Sequence, residues 1–147
     1  MTGESPDGTF VLTSEPQRLA GLREWLRVEL ARHKVEQREQ FGLQVAVGEI
    51  CSNSIRHAYD SLGGKPIHVS VRGTDDRLII EVRDFGKKFD PHSYRPPDFE
   101  AVPEGGIGLH LARQFVDELT FDVTEGQGTR WTLVKYRPGR TPGSRPA

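Results

Sequence analysis

The sequence predicts a two-layer α/β (α+β) sandwich, with helices on one face of a mixed, mostly antiparallel sheet. Three observations predict it. Two long segments, Ser14 to Lys34 and about Gln37 to Tyr59, repeat their apolar residues at helical spacing. Between Ile67 and Arg83 the pattern switches to alternation, as in a β-hairpin. After one more helical segment the chain closes on two further alternating runs. The order β-α-α-ββ-α-ββ suits helices layered on one side of a sheet.

The elements follow in order. "TFVLTS" is short, β-branched and alternating, so it reads as a first strand, suited to a sheet edge. In "SEPQRLAGLREWLRVELARHK", Ser14 is placed to cap a helix and Pro16 suits its first turn. Leu19, Leu22, Leu26 and Leu30 give the apolar stripe, which Gly21 weakens only slightly. Trp25 on this helix reads either as a contact surface or as core. The second helix buries Leu43, Ala46, Val47, Ile50, Ser54 and Ala58, and "SLGGKP" ends it. "PIHVSVRG" and "DRLIIEVRDFG" form a hairpin around "GTDD". "KKFDPHSYRPPDFEAVPEGG", with four prolines, matches neither period and reads as a long functional loop. "GLHLARQFVDE" is a third helix, and "LTFDVTEG" and "GTRWTLVKYR" are strands joined by a turn at Gly126–Gly128.

A length of 147 residues suits one domain, and 35% hydrophobic residues can bury one modest core. Residues 1–8 read as a flexible N-terminus, 9–136 as the domain, and 137–147 as a disordered Pro/Arg tail. The net charge of -1 gives no electrostatic basis for direct nucleic-acid binding. No apolar run approaches the roughly 20 residues of a membrane span, and "MTGESPDGTF" lacks the features of a secretory signal. The single cysteine, Cys51, cannot form an internal disulfide, which suits a reduced cytoplasmic setting.

Four places carry candidate chemistry. Glu49, Asn53 and His57 recur every four residues, so they share a face of the second helix beside its buried stripe. A solvated polar face explains each one alone. Together they offer a carboxylate able to act as a general base and a neutral oxygen suited to Mg²⁺. Asp84 ends a strand and precedes Phe85 and Gly86; it either begins a turn or accepts a hydrogen bond from an exocyclic amine such as that of adenine. There Gly86 would let the backbone pass close to the ring. Gly105, Gly106 and Gly108 precede a helix, where backbone N–H groups can converge on an anion. Without a following Gly-Lys-Ser/Thr this is not a Walker loop, and a plain glycine-rich turn reads equally well. Thr129, after Gly128, either satisfies a turn or backs up the aspartate and adenine through a water.

Glu49-x-x-x-Asn53, Asp84-x-Gly86, Gly106-x-Gly108 and Gly128-Thr129 stand in the order of the N, G1, G2 and G3 boxes of the GHKL, or Bergerat-fold, ATPases. From about Phe10 to Tyr136 the chain most resembles the small anti-sigma-factor serine/threonine kinases of bacteria, on "E-x-x-x-N-x-x-x-H-A-Y" and "GGIGLHLARQFVDEL". The resemblance implies a Bergerat fold, with 9–136 an ATP-binding kinase domain using ATP and Mg²⁺. It implies that Glu49 is the general base and that Asn53 holds Mg²⁺. It places Asp84 at the adenine amino group, with Gly86 beside it and Thr129 in support. Gly105, Gly106, Ile107, Gly108 and Leu109 fall at the phosphates, and Arg56 and His57 near the nucleotide. Lys87 to Glu104 would be the ATP lid. The implied partners are a sigma factor, which the kinase sequesters, and a STAS-domain anti-anti-sigma protein, which it phosphorylates; a homodimer is implied too.

One position departs from the family pattern. Where the G1 box often reads D-x-G-x-G-F, this chain has "DFGKKFD", with Lys88 in place of the second glycine. If that position needs a positive φ, lysine costs on the order of 1 kcal/mol there. On that account a nucleotide-binding interaction module with little or no kinase activity is the competing reading. A sensor histidine kinase fragment fits less well, because the first helix follows a strand rather than a dimerisation helix carrying a phospho-accepting histidine.

Overall fold

The computed structural model describes residues 8–91, 108–124 and 126–138. Among these residues five strands form one sheet: β1 (Thr9–Thr13), β2 (Pro66–Gly73), β3 (Arg77–Asp84), β4 (Glu118–Asp122) and β5 (Arg130–Tyr136). Their order across the sheet is β1-β2-β3-β5-β4. Among the described residues all four pairings are antiparallel, where the sequence reading allowed a mixed, mostly antiparallel sheet. The β4–β5 hairpin docks through β5, its second strand, against β3. That placement leaves β4 at the edge and sets every neighbour antiparallel.

Alternation decides what lies beneath the sheet. Ile67, Val69 and Val71 of β2 and Leu78, Ile80 and Val82 of β3 are buried, while His68, Ser70, Glu81 and Arg83 lie on the opposite, wetter face. The buried face meets α1 (Leu19–Arg32) and α2 (Gln37–Asn53). Leu22, Leu26 and Leu30 of α1 and Leu43, Val47 and Ile50 of α2 are almost fully buried. Each such side chain contributes about 1.5–3 kcal/mol relative to exposure. Trp25 is core: its ring stacks on Phe10 at 5.3 Å. The third helix, α3 (Gly108–Phe115), packs on α2, where the ring of Phe115 covers Gly42.

Two helix boundaries differ from the sequence reading. Ser14 does not cap α1, which is entered through a 3-10 turn at Pro16–Arg18 with no side-chain cap. The Ser14 hydroxyl instead donates to Leu62 O and accepts the Lys65 N–H at 3.0 Å, pinning the end of β1 to the "SLGGKP" turn. The second helix does not run regularly to Tyr59 either. Ser54–Ala58 is a π-helical turn, closed by the Tyr59 N–H donating to Ser54 O at 3.0 Å. A π turn rotates less per residue than an α turn, so the four-residue row is broken after Asn53. His57 accordingly points to solvent instead of packing near the buried stripe. The widened turn is held from outside, because the Lys87 N–H donates to Ala58 O at 2.8 Å.

Candidate functional site

Asp84 is the last residue of β3 and continues its inward register from Leu78, Ile80 and Val82. The alternation that builds the core therefore buries a carboxylate, which is 2% exposed. Burial pushes its pKa up, and three hydrogen bonds oppose that. The Ser54 hydroxyl donates to Oδ2 at 2.7 Å, and the N–H groups of Gly86 and Thr129 donate to Oδ1 at 3.3 and 3.2 Å. Three chain segments thus converge on one acid: the π turn, the loop after β3, and the start of β5.

Two glycines make the convergence possible. A Cβ on Gly86 would fall 2.2 Å from Ala58 O and 2.8 Å from the Tyr59 ring. The π turn alone therefore demands a glycine there. Gly128 has φ +81°, and a Cβ on it would fall 2.1 Å from Asp84 O. Replacement by alanine adds left-handed backbone strain to a clash with main chain that cannot rotate away. Gly128→Ala is expected to destabilise the fold by about 3 kcal/mol. A thermal melt should read this as a loss on the order of 10 °C; an unchanged melt would contradict the close packing of β5 on β3.

Tyr59 and Thr129 complete the frame. The Tyr59 hydroxyl accepts the Phe85 N–H at 2.7 Å and donates to Pro66 O at 2.6 Å, so the backbone beside Asp84 is tied to the start of β2. The Thr129 hydroxyl accepts the Phe89 N–H at 2.9 Å, which leaves its own proton to donate onward. Lys88 is not among the non-glycine residues at positive φ, which within the described residues are Lys34, Asp60 and Ser61. The strain expected of lysine at that position is therefore absent.

Glu49 and Asn53 lie one turn apart on α2, and Asn53 is buried to 9% exposure. No hydrogen bond among the described residues takes up the Asn53 carboxamide. Glu49 faces the start of α3: a Cβ on Gly108 would sit 3.5 Å from its carboxylate. The first residue of α3 and the helix carrying the acid therefore meet face to face. Leu109 packs its side chain into the core, which leaves its backbone N–H as its one contribution to a site. The Arg56 Nε is buried and without a hydrogen-bond partner among the described residues, whereas His57 is exposed. Gly105, Gly106 and Ile107, and the lid from residue 92 onward, lie outside the described residues. On its other side Glu49 borders a largely apolar groove of about 620 Å³ between α1 and α2, lined among others by Leu19, Arg23, Phe41 and Gly48.

Ser54 and Tyr59 were not legible as site residues. Ser54 sits on the apolar stripe of α2, and a hydroxyl on such a stripe is the one signal that asks for a buried partner. Tyr59 closes the motif that carries the resemblance, but its role is not legible there, because both of its partners belong to other elements.

A family model described as a histidine kinase-like ATPase domain matches residues 12–135. The chain is 34% identical over 92 residues to the serine-protein kinase RsbW of Bacillus licheniformis, covering 57% of this chain and 58% of that protein. It is 31% identical over 105 residues to the same-named kinase of Bacillus velezensis, covering 66% and 64%. The chain thus spans less than two thirds of the length of these relatives. A Mycobacterium tuberculosis structure of RsbU and RsbW domains superposes with TM-score 0.63 at 20% identity, covering 92% of this chain and 34% of that one. The mycobacterial sensor histidine kinase MprB superposes with TM-score 0.52 at 16% identity, covering 85% and 96%. Both carry the same fold as this chain.

Proposed function

The chain belongs to the histidine kinase-like ATPase domain family, and from that premise we propose that it is an ATP-dependent protein serine/threonine kinase acting as an anti-sigma factor. In this reading it sequesters a sigma factor and phosphorylates a serine or threonine of a STAS-domain anti-anti-sigma protein in the cytoplasm. The observation that carries it is the meeting of Glu49 with Gly108: the candidate base stands against the last glycine of the candidate phosphate cradle. The relatives named serine-protein kinase support the choice of a protein hydroxyl as acceptor.

Each residue then has a physical task. Asp84 accepts from the adenine amino group, and Thr129 and Gly86 hold that acceptor in place. The backbone N–H groups at the start of α3, from Gly108 and Leu109, would serve the phosphates. Asn53 suits Mg²⁺, because its carboxamide is buried and takes no hydrogen bond among the described residues, and Mg²⁺ takes few protein ligands beside phosphate oxygens and water. The metal supplies neutralisation of phosphate charge. Glu49 takes the proton from the attacking hydroxyl. No second reading is favoured, since the support that Lys88 lent to an inert binding module falls with its ordinary backbone conformation.

The test is transfer itself. With Mg²⁺ and γ-labelled ATP, label should appear on serine or threonine of a STAS-domain protein from the same genome. It should vanish when the metal is chelated. Binding of ATP with no transfer to any such partner would restore the binding-module reading.

A further inference from the structure

We propose that Ser54 is a specificity-determining positioning residue, whose hydroxyl holds the Asp84 carboxylate as an ionised acceptor and so selects a 6-amino purine over a 6-oxo purine. The inference rests on the reading of Asp84 as the base-recognising acid.

Lone pairs on Asp84 decide the selection. An ionised carboxylate offers about four acceptor positions on its two oxygens and no donor. On Asp84, Oδ1 takes two N–H groups, from Gly86 and Thr129, and Oδ2 takes the Ser54 hydroxyl at 2.7 Å. One acceptor position is left, on Oδ2, and an exocyclic amine satisfies it. A 6-oxo group presents an acceptor to that same position and is repelled, unless Asp84 carries a proton there. The two N–H donors belong to the main chain and cannot reverse. Ser54 alone can rotate. While its O–H points at Oδ2, it opposes protonation of that oxygen and keeps the remaining position an acceptor.

The surroundings leave this role to Ser54. Burial alone drives Asp84 toward its neutral form, and among the hydrogen bonds that oppose burial the one from Ser54 has the largest effect. Cys51 of α2 faces the acid as a neutral thiol, its pKa pushed up to about 12 by burial and by Asp84. Tyr59 stays neutral, since burial raises its pKa too. The Arg83 guanidinium lies on the outer face of the sheet, 5.0 Å from the Phe85 ring centroid, and lowers the pKa of Asp84 least of the groups acting on it. Removing the Ser54 hydroxyl raises the pKa of Asp84 further. The ionised form is then lost at a higher pH as the solution is acidified.

The experiment is calorimetric titration of the full chain with Mg·ATP and with Mg·inosine triphosphate, at about pH 8 and about pH 6. Wild type should prefer ATP at both. Ser54→Ala should bind ATP about tenfold more weakly near pH 6 and less than that near pH 8, with inosine triphosphate unchanged or tighter. Ser54→Thr, which keeps the hydroxyl, should recover the preference. If Ser54→Ala does not fold, Ser54→Cys, with its weak donor, carries the same expectation. A folded variant without the hydroxyl that keeps the wild-type ratio of the two affinities at both pH values overturns the role of Ser54. Wild type that binds neither nucleotide, or Asp84→Asn that binds ATP as wild type does, overturns the underlying reading of Asp84 instead.

Discussion

Glu49→Gln should cut transfer of phosphate to the protein acceptor by about 10²–10⁴-fold while ATP affinity changes by no more than about twofold. The substitution keeps the volume and polarity of the side chain and removes its capacity to take a proton. Glu49 is half-buried on α2 against Gly108, so glutamine fits where glutamate fits. Nothing in the site assigns Glu49 to the adenine ring or to the metal, which is why nucleotide binding should survive. The two halves of the expectation are read separately, by labelled phosphate on the acceptor and by calorimetry with Mg·ATP. Equal loss of binding and transfer would make Glu49 a nucleotide ligand rather than a base. Undiminished transfer would move the base elsewhere.

How far the sequence reached can be judged from particular residues. The strands were legible because alternation is enforced by a sheet that is wet on one face and buried on the other, as in Ile67, Val69 and Val71 against His68 and Ser70. The inward register of Asp84 follows from the same rule, since it continues Leu78, Ile80 and Val82. The row Glu49–Asn53 was legible because it lies within regular α-helix. His57 was not, because the π turn between them is set by tertiary hydrogen bonds, such as Lys87 N–H to Ala58 O, that no local pattern announces. The glycines were found for incomplete reasons. Gly86 was expected to clear a ligand, yet its nearest obstacle is the chain's own Ala58 carbonyl. That the described strands pair only antiparallel was not legible beyond 'mostly', because alternation gives strand existence, while the partner of β5 depends on how the last hairpin docks.

Asp84→Asn should abolish measurable ATP binding, a loss of at least about 100-fold, without unfolding the protein. The carboxamide matches the carboxylate in shape. Its oxygen can still accept the N–H groups of Gly86 and Thr129, and its NH₂ can donate to Ser54 Oγ, which turns from donor to acceptor. What changes is the group offered to the base: a donor now faces an amine. Stability should move the other way. Asp84 is an acid whose folded pKa is raised by burial, so its ionised form is less favoured in the folded state than in the unfolded one. That penalty is present in full above the folded pKa and is relieved as pH falls through it toward the unfolded value. The ligand-free variant should therefore melt no lower than wild type near pH 8, and the difference between them should shrink as the solution is acidified. Taking the difference cancels the other titrating groups, which the two proteins share. A variant that melts well below wild type at high pH would mean that the three donors need a full negative charge, and that Asp84 holds the fold together rather than holding a nucleotide at the fold's expense.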